Sequence, residues 1–167
     1  MFAGRKKWIV PLAGLSVIAL GLGAVTITRS YDPPMRLDVD LSERTLQVIE
    51  NGKTVKTYDV AVGRPKYPTP TGSYTTGDIV WNPSWTPPDD DWAKNKTYQP
   101  PGSPKNPLRG VKIYFRAPAY YIHGTNDPES IGEAASHGCI RMTESDAKAL
   151  ARSIEQAGGH VPLLIHD

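Results

Sequence analysis

Arg36–Asp40 and Thr45–Ile49 alternate apolar and polar residues, the period of a half-buried strand, and Asn51-Gly52 after them is a type I′ hairpin signal leading into Val55–Val62. The domain therefore opens as a predicted three-stranded meander, ended by Gly63. Pro68-Thr69-Pro70-Thr71-Gly72 predicts a rigid turn before a further strand over Ser73–Val80. Strand character resumes at Val111–Phe115 and Tyr120–His123, and Val161–Ile165 reads as a closing strand. One segment after residue 142 switches to the helical period: Thr143 is placed as N-cap with Asp146 three residues on, Ala147, Leu150 and Ile154 share a face, and Gly158-Gly159 is the stop. The pattern predicts a mainly β fold with one or two short helices and no internal repeats.

Two stretches escape that pattern. Trp81–Gly110 is rich in proline, carries Trp85, Trp92 and the acid run Asp89-Asp90-Asp91, and shows no period. A segment of this kind is either a functional lid or binding loop, or a poorly ordered insertion. The other stretch runs from Trp8 to Thr28 without a charge, just after Arg5-Lys6-Lys7. Its 21 residues are enough for a helix across a hydrocarbon core of ~30 Å, with the preceding cations favouring an N-inside orientation. A cleavable signal peptide is the alternative, since Ala19-Leu20-Gly21 offers a small-x-small cleavage site. Either way the rest of the chain is expected outside the cytoplasm. The expected organisation is a basic start plus anchor or signal over 1–30, a linker over 31–34, and one domain over 35–167.

Charge changes the picture less than the pI near 8.6 suggests. Arg5, Lys6, Lys7 and Arg29 lie in the first thirty residues, which hold no acid, so residues 31–167 keep 15 basic against 17 acidic side chains. No basic face is implied for the folded part, and a nucleic-acid partner is not expected.

The candidate chemistry sits in Ser136-His137-Gly138-Cys139-Ile140-Arg141-Met142, which holds the only cysteine of the chain. A lone thiol beside His137, with His123 delivered by the preceding strand, is what a cysteine nucleophile needs, because an imidazole can activate the sulfur. In an oxidising compartment a single cysteine cannot form an internal disulfide, which favours a chemical use. Two other readings stay open: an ordinary buried thiol, and a metal site in which His123, His137 and Cys139 join His160 or His166. Gly138 lets backbone N–H groups approach a reacting carbonyl, and Arg141 is placed to meet a substrate carboxylate. No cofactor is called for.

His123-Gly124-Thr125-Asn126-Asp127-Pro128, succeeded after a predicted small-residue helix by the SHGCIRM stretch, closely resembles the catalytic signature of the L,D-transpeptidases that remodel bacterial peptidoglycan. The resemblance extends to Val62-Gly63, Pro68–Gly72, Asn82-Pro83, Trp85-Thr86-Pro87-Pro88, Pro101-Gly102 and Asn106-Pro107-Leu108, and covers roughly residues 35–166. It implies a β-sandwich or barrel-like mixed sheet with the cysteine at the end of a groove, acting on peptidoglycan stem peptides. Cys139 would attack the carbonyl of the third stem residue, typically diaminopimelate, expel the terminal D-alanine and leave a thioester for an amine. His123 would take the proton, oriented through the carbonyl of Gly124. His137 would support the site, backbone around Gly138 and Cys139 would hold the oxyanion, and Ser136 and Arg141 would contact substrate. Arg141 stands where many members carry Asn, which leaves its role less defined. The acceptor is open: another diaminopimelate in a 3-3 cross-link, a protein lysine, a free D-amino acid, or water. A papain-like wall endopeptidase fits less well, since there the nucleophile precedes its histidine; an inactive wall-binding module would be expected to have lost Cys139 or His123.

Overall fold

The hairpin predicted at the start of the domain is present, and it fixes the first layer. Strand β1 (Met35–Asp40) runs antiparallel to β2 (Thr45–Glu50), with Leu37 opposite Val48 and Val39 opposite Leu46, so the apolar half of the alternation forms one buried face. Asn51 and Gly52 both take positive φ, 49° and 76°, as the type I′ turn into β3 (Lys53–Asp59) requires. The computed structural model describes residues 33–167. The charge-free run Trp8–Thr28 lies outside the described residues, among which no helix is long and apolar enough to cross a membrane.

Five strands make the first sheet, in the order β3-β2-β1-β11-β5, where β5 is Gly72–Thr75 and β11 is Pro162–His166; β1 and β11 are parallel. The second sheet has four, in the order β10-β8-β7-β6: β6 is Ile79–Trp81, β7 is Arg109–Arg116, β8 is Tyr120–Gly124 and β10 is Ile140–Met142. A short parallel pair joins β4 (Val62–Gly63) to β9 (Ala134–Ser136). The fold is thus mainly β with mixed sheets and one α-helix, α1 (Glu144–Gln156), beside two single 3₁₀ turns at Asp91–Ala93 and Pro128–Ser130.

Three predicted elements are divided or replaced, each for a packing reason. The strand predicted over Val55–Val62 ends at Asp59, because β3 is an exposed edge and the buried Val60, Ala61 and Val62 must leave it to reach the core. The strand predicted over Ser73–Val80 is cut at Thr76, whose N–H donates to the Val161 carbonyl and whose Oγ1 accepts from the Val161 N–H. The chain thereby passes from the first sheet to the second. Alternation cannot reveal a change of sheet. The small-residue helix predicted before the cysteine is a single 3₁₀ turn and then β9, where pairing with β4 overrides the helix propensity of Glu133-Ala134-Ala135.

One core lies between these layers. Leu37, Val39, Leu46, Leu163 and Ile165 of the first sheet meet Val111, Ile113, Ile122, Ile140 and Met142 of the second, together with Ala147, Leu150, Ala151 and Ile154 of α1. Helix α1 starts as predicted: Thr143 Oγ1 accepts from the Asp146 N–H at 3.1 Å and donates to its carboxylate at 2.7 Å. Its first turn packs so near Gly124 that a Cβ there would lie 3.0 Å from the Glu144 Cα and 2.3 Å from the Arg109 carbonyl oxygen. Only glycine lets the helix seat against the end of β8.

The segment from Trp81 to Gly110 is organised rather than an unstructured insertion. Trp85 and Gln99 pair through two backbone hydrogen bonds of 2.9 Å, and fully buried Asn106 donates to the carbonyls of Pro83 and Pro100 while accepting from the Leu108 N–H. A single amide thus satisfies three backbone groups of a loop that has no ladder to use.

Candidate active site

The second sheet has two faces, and strand periodicity assigns a residue to each. Along β7, Val111, Ile113 and Phe115 are buried in the core while Lys112 and Tyr114 alternate onto the opposite face. Lys112 pairs with His123, Tyr114 with Tyr121, and His123 with Arg141 of β10, so one face carries Lys112, Tyr114, Tyr121, His123 and Arg141. Cys139 immediately precedes Ile140, the partner of Ile122, and therefore sits beside Tyr121, one pleat from His123. All six line a single cavity of about 1220 Å³. The structure brings His123 of β8 and Cys139, just ahead of β10, to one face of the sheet.

His123 is 4% exposed, and its Nδ1 lies 2.9 Å from the Gly124 carbonyl. That N–H donates to the carbonyl, which selects the tautomer whose Nε2 accepts a proton. Burial pushes the imidazole down to about 4, with Arg141 and Lys112 adding to the effect and the Gly124 and Pro107 carbonyls opposing it. Burial likewise pushes the Cys139 thiol up to about 11, against the Tyr121 N–H and hydroxyl and the charges of Arg141 and Lys112, which favour the thiolate. Both groups are therefore neutral at rest near pH 7. The sulfur points at the Ala119 carbonyl, 3.5 Å away. The resting site is a thiol and an imidazole, not a preformed ion pair.

His137 occupies a different environment. Its ring stacks on Trp92 with centroids 3.8 Å apart and planes 18° apart, lies 5.0 Å from the Tyr67 ring, and its Nε2 meets an Arg64 guanidinium nitrogen. Burial, then the charges of Arg64 and Arg141, keep it below the usual histidine range. The arrangement clamps the 81–110 loop onto the cysteine loop through Trp92.

Ser136 and Gly138 hold the loop that presents the sulfur. Ser136 is 1% exposed; its hydroxyl accepts from the Gly138 N–H at 3.0 Å and donates to the Cys139 carbonyl at 2.5 Å. The hydroxyl thus braces the loop on both sides of the sulfur. The Gly138 N–H is held in the same brace. Gly138 itself takes φ +105°, and a Cβ would lie 2.7 Å from the Tyr120 ring. Arg141 Nη1 lies 3.7 Å from an Asp127 carboxylate oxygen and 3.4 Å from Ser130 Oγ, tying β10 to the loop after His123. His160 and His166, the other two imidazoles of the conceivable metal site, are engaged elsewhere, with the Thr76 carbonyl and Asp38 at 2.8 Å each. Among the described residues no three His, Cys, Asp or Glu side chains group to hold a metal.

The cavity also corrects the charge reading. Arg64, Lys66, Lys96, Lys105, Lys112 and Arg141 line it, against Asp90 alone, so the folded part does have a basic surface, gathered along the cavity that holds the sulfur. Sequence reasoning missed Tyr121, Arg64 and Trp92. The alternation Tyr121-Ile122-His123 held the signal for the first; Arg64 and Trp92 arrive from loops whose path no period describes.

A mainly β domain carrying a thiol and a backbone-oriented imidazole on one sheet face, under a loop that roofs an open cavity, defines a class of enzyme. The chain belongs to the L,D-transpeptidase catalytic domain family, whose model matches residues 34–161. A Bacillus licheniformis relative named as a putative L,D-transpeptidase, YkuD, is 36% identical over 140 residues, covering 83% of this chain and 68% of the relative. The fold is also that of L,D-transpeptidase 3 from Mycobacterium tuberculosis, with TM-score 0.63 and 19% identity over 81% of this chain; the chain spans 62% of that one. The catalytic domain from E. faecium L,D-transpeptidase matches with TM-score 0.61 and 23% identity, covering 81% of this chain and 99% of that one.

Proposed function

We propose that this protein is a cysteine acyltransferase acting on the tetrapeptide stem of peptidoglycan, with Cys139 as nucleophile and His123 as general base. The observation that carries the reading is a neutral thiol and a buried imidazole, its Nδ1–H fixed on Gly124, that line one cavity on one face of one sheet. Such an imidazole is an acceptor at Nε2 throughout neutral pH, as a general base must be.

In the acylation half, Sγ turns from the Ala119 carbonyl and attacks the carbonyl carbon of the third stem residue as its proton passes to His123 Nε2. Collapse of the tetrahedral adduct breaks the bond to the terminal D-alanine, whose amine takes that proton from His123, and a thioester remains. An acceptor amine then attacks the thioester, gives a proton to His123, and displaces the Cys139 sulfur, which recovers the proton. The imidazolium formed midway is favoured by the carbonyls of Gly124 and Pro107, so the site charges only while the reaction proceeds. Transfer to an amine gives a 3-3 cross-link or a protein attachment. From the charge-free run after Arg5-Lys6-Lys7 we infer that the reaction takes place outside the cytoplasm, with Trp8–Thr28 as anchor; a mature N-terminus near Leu22 would instead identify a cleaved signal peptide.

The test is incubation of the purified protein with a defined disaccharide-tetrapeptide, with and without an acceptor amine, and identification of products by mass. Release of D-alanine with a new amide to the acceptor is the expected result. Release only without the amide would assign water as acceptor, and an unchanged donor would contradict the proposal.

A further inference from the structure

The cavity concentrates positive charge far beyond the chain's average. Residues 33–167 carry 15 cations and 16 carboxylates, yet six of those cations and one carboxylate, Asp90, line this cavity. Two guanidiniums flank the cysteine loop. Arg64 reaches it from the end of β4 through His137, two residues before the sulfur; Arg141 stands on β10, two residues after it.

Neither guanidinium is matched by a buried anion. Arg64 bonds His137 Nε2 and lies 5.0 Å from the Tyr67 ring centroid, both uncharged partners, and among the described residues no carboxylate pairs with it. Arg141 has Asp127, but at 3.7 Å and with that carboxylate side chain 58% exposed. The two also repel one another, since Arg64 adds to the burial that lowers Arg141. A pair of half-buried forks without an internal anion is a site that a planar carboxylate completes, because each guanidinium can donate two parallel N–H bonds to it.

We propose that Arg64 and Arg141 form a carboxylate subsite that selects acyl donors bearing a free carboxylate close to the scissile carbonyl. The inference rests on the acyl-transfer reading. Two carboxylates of the donor qualify chemically: that of the departing D-residue, and the side-chain carboxylate of a third residue of the diaminopimelate type. Arg64 is then a specificity residue, which an imidazole contact alone would not require.

Three tetrapeptide donors separate these outcomes: one with both carboxylates free, one amidated at the C-terminus, one amidated on the third side chain. With the full chain, amidation at one of the two positions is expected to lower kcat/KM by about tenfold or more, and the affected position identifies the carboxylate that is read. Arg64→Gln should remove most of that preference by slowing the free donor far more than the disfavoured amide, and Arg64→Lys should restore part of it. A merely structural role for Arg64 would instead slow all three donors alike. Turnover of all three donors within twofold of one another by the parent would overturn the subsite, as would an undiminished preference in Arg64→Gln. No turnover of any donor would instead bring down the acyl-transfer reading, and the subsite with it.

Discussion

The two faces of the second sheet are built from the same strands and differ by one residue in register. The inner face places Val111, Ile113, Ile122, Ile140 and Met142 in the core shared with the first sheet and helix α1, all fully buried. The outer face places Lys112, Tyr114, Tyr121, His123 and Arg141 around a cavity. The first is apolar and densely packed, so its contribution is stability; the second is polar, charged and open, as the proposed chemistry requires. Alternation thus supports a precise site on a rigid layer, since each residue that aims a functional group outward is held by neighbours that aim inward.

The sharpest way to test that division is to remove function without touching the core. His123→Ala should lower acylation of Cys139 by ~10²–10⁴ with the circular dichroism spectrum preserved. If His123→Ala acylates at the parent rate while His137→Ala is inactive, the base has been assigned to the wrong imidazole. The converse substitution lies a step away in the sheet. Ile113→Ala, fully buried, should cost about 2–5 kcal/mol in denaturant unfolding and leave the turnover of the folded fraction near that of the parent. A loss of turnover exceeding the loss of folded protein would show that the two faces are not separable.

A third test uses pH, because His123 is the outer-face residue that is nonetheless buried. Its value falls from 6.5 in the unfolded chain to about 4 in the fold, so the unfolded state binds the extra proton over that interval. Stability should therefore be complete above pH 6.5 and decline as pH falls toward 4, by roughly 3 kcal/mol from this group alone. Urea unfolding at pH 7 and pH 4.5 for the parent and His123→Gln checks it; an equal decline in both would locate the effect elsewhere.

Legibility in the sequence divides along the same line. The strands, the helix with its Thr143 cap, and the gathering of Cys139 and His123 in one cavity were readable because each rests on a local period, a cap or a short motif. Residues brought in by irregular chain were not: Trp92 stacks on His137 from a loop held by Asn106, and Arg64 comes from a turn after a two-residue strand. The even balance of charge along residues 31–167 concealed the cavity for a related reason. A sum over the chain carries no information on where folding gathers the cations. Ser136 adds a role that the motif did not show, since its hydroxyl braces the cysteine loop.

In the proposed reaction the Cys139 sulfur is the atom that carries the acyl group. A carbapenem presents a strained acyl carbonyl to that sulfur, and intact-mass measurement after incubation reports the outcome directly. One equivalent of adduct on the parent, mapped by peptide mass to Cys139, and none on Cys139→Ala, is the predicted result. An unmodified parent after prolonged incubation, or an adduct that persists in Cys139→Ala, would contradict it.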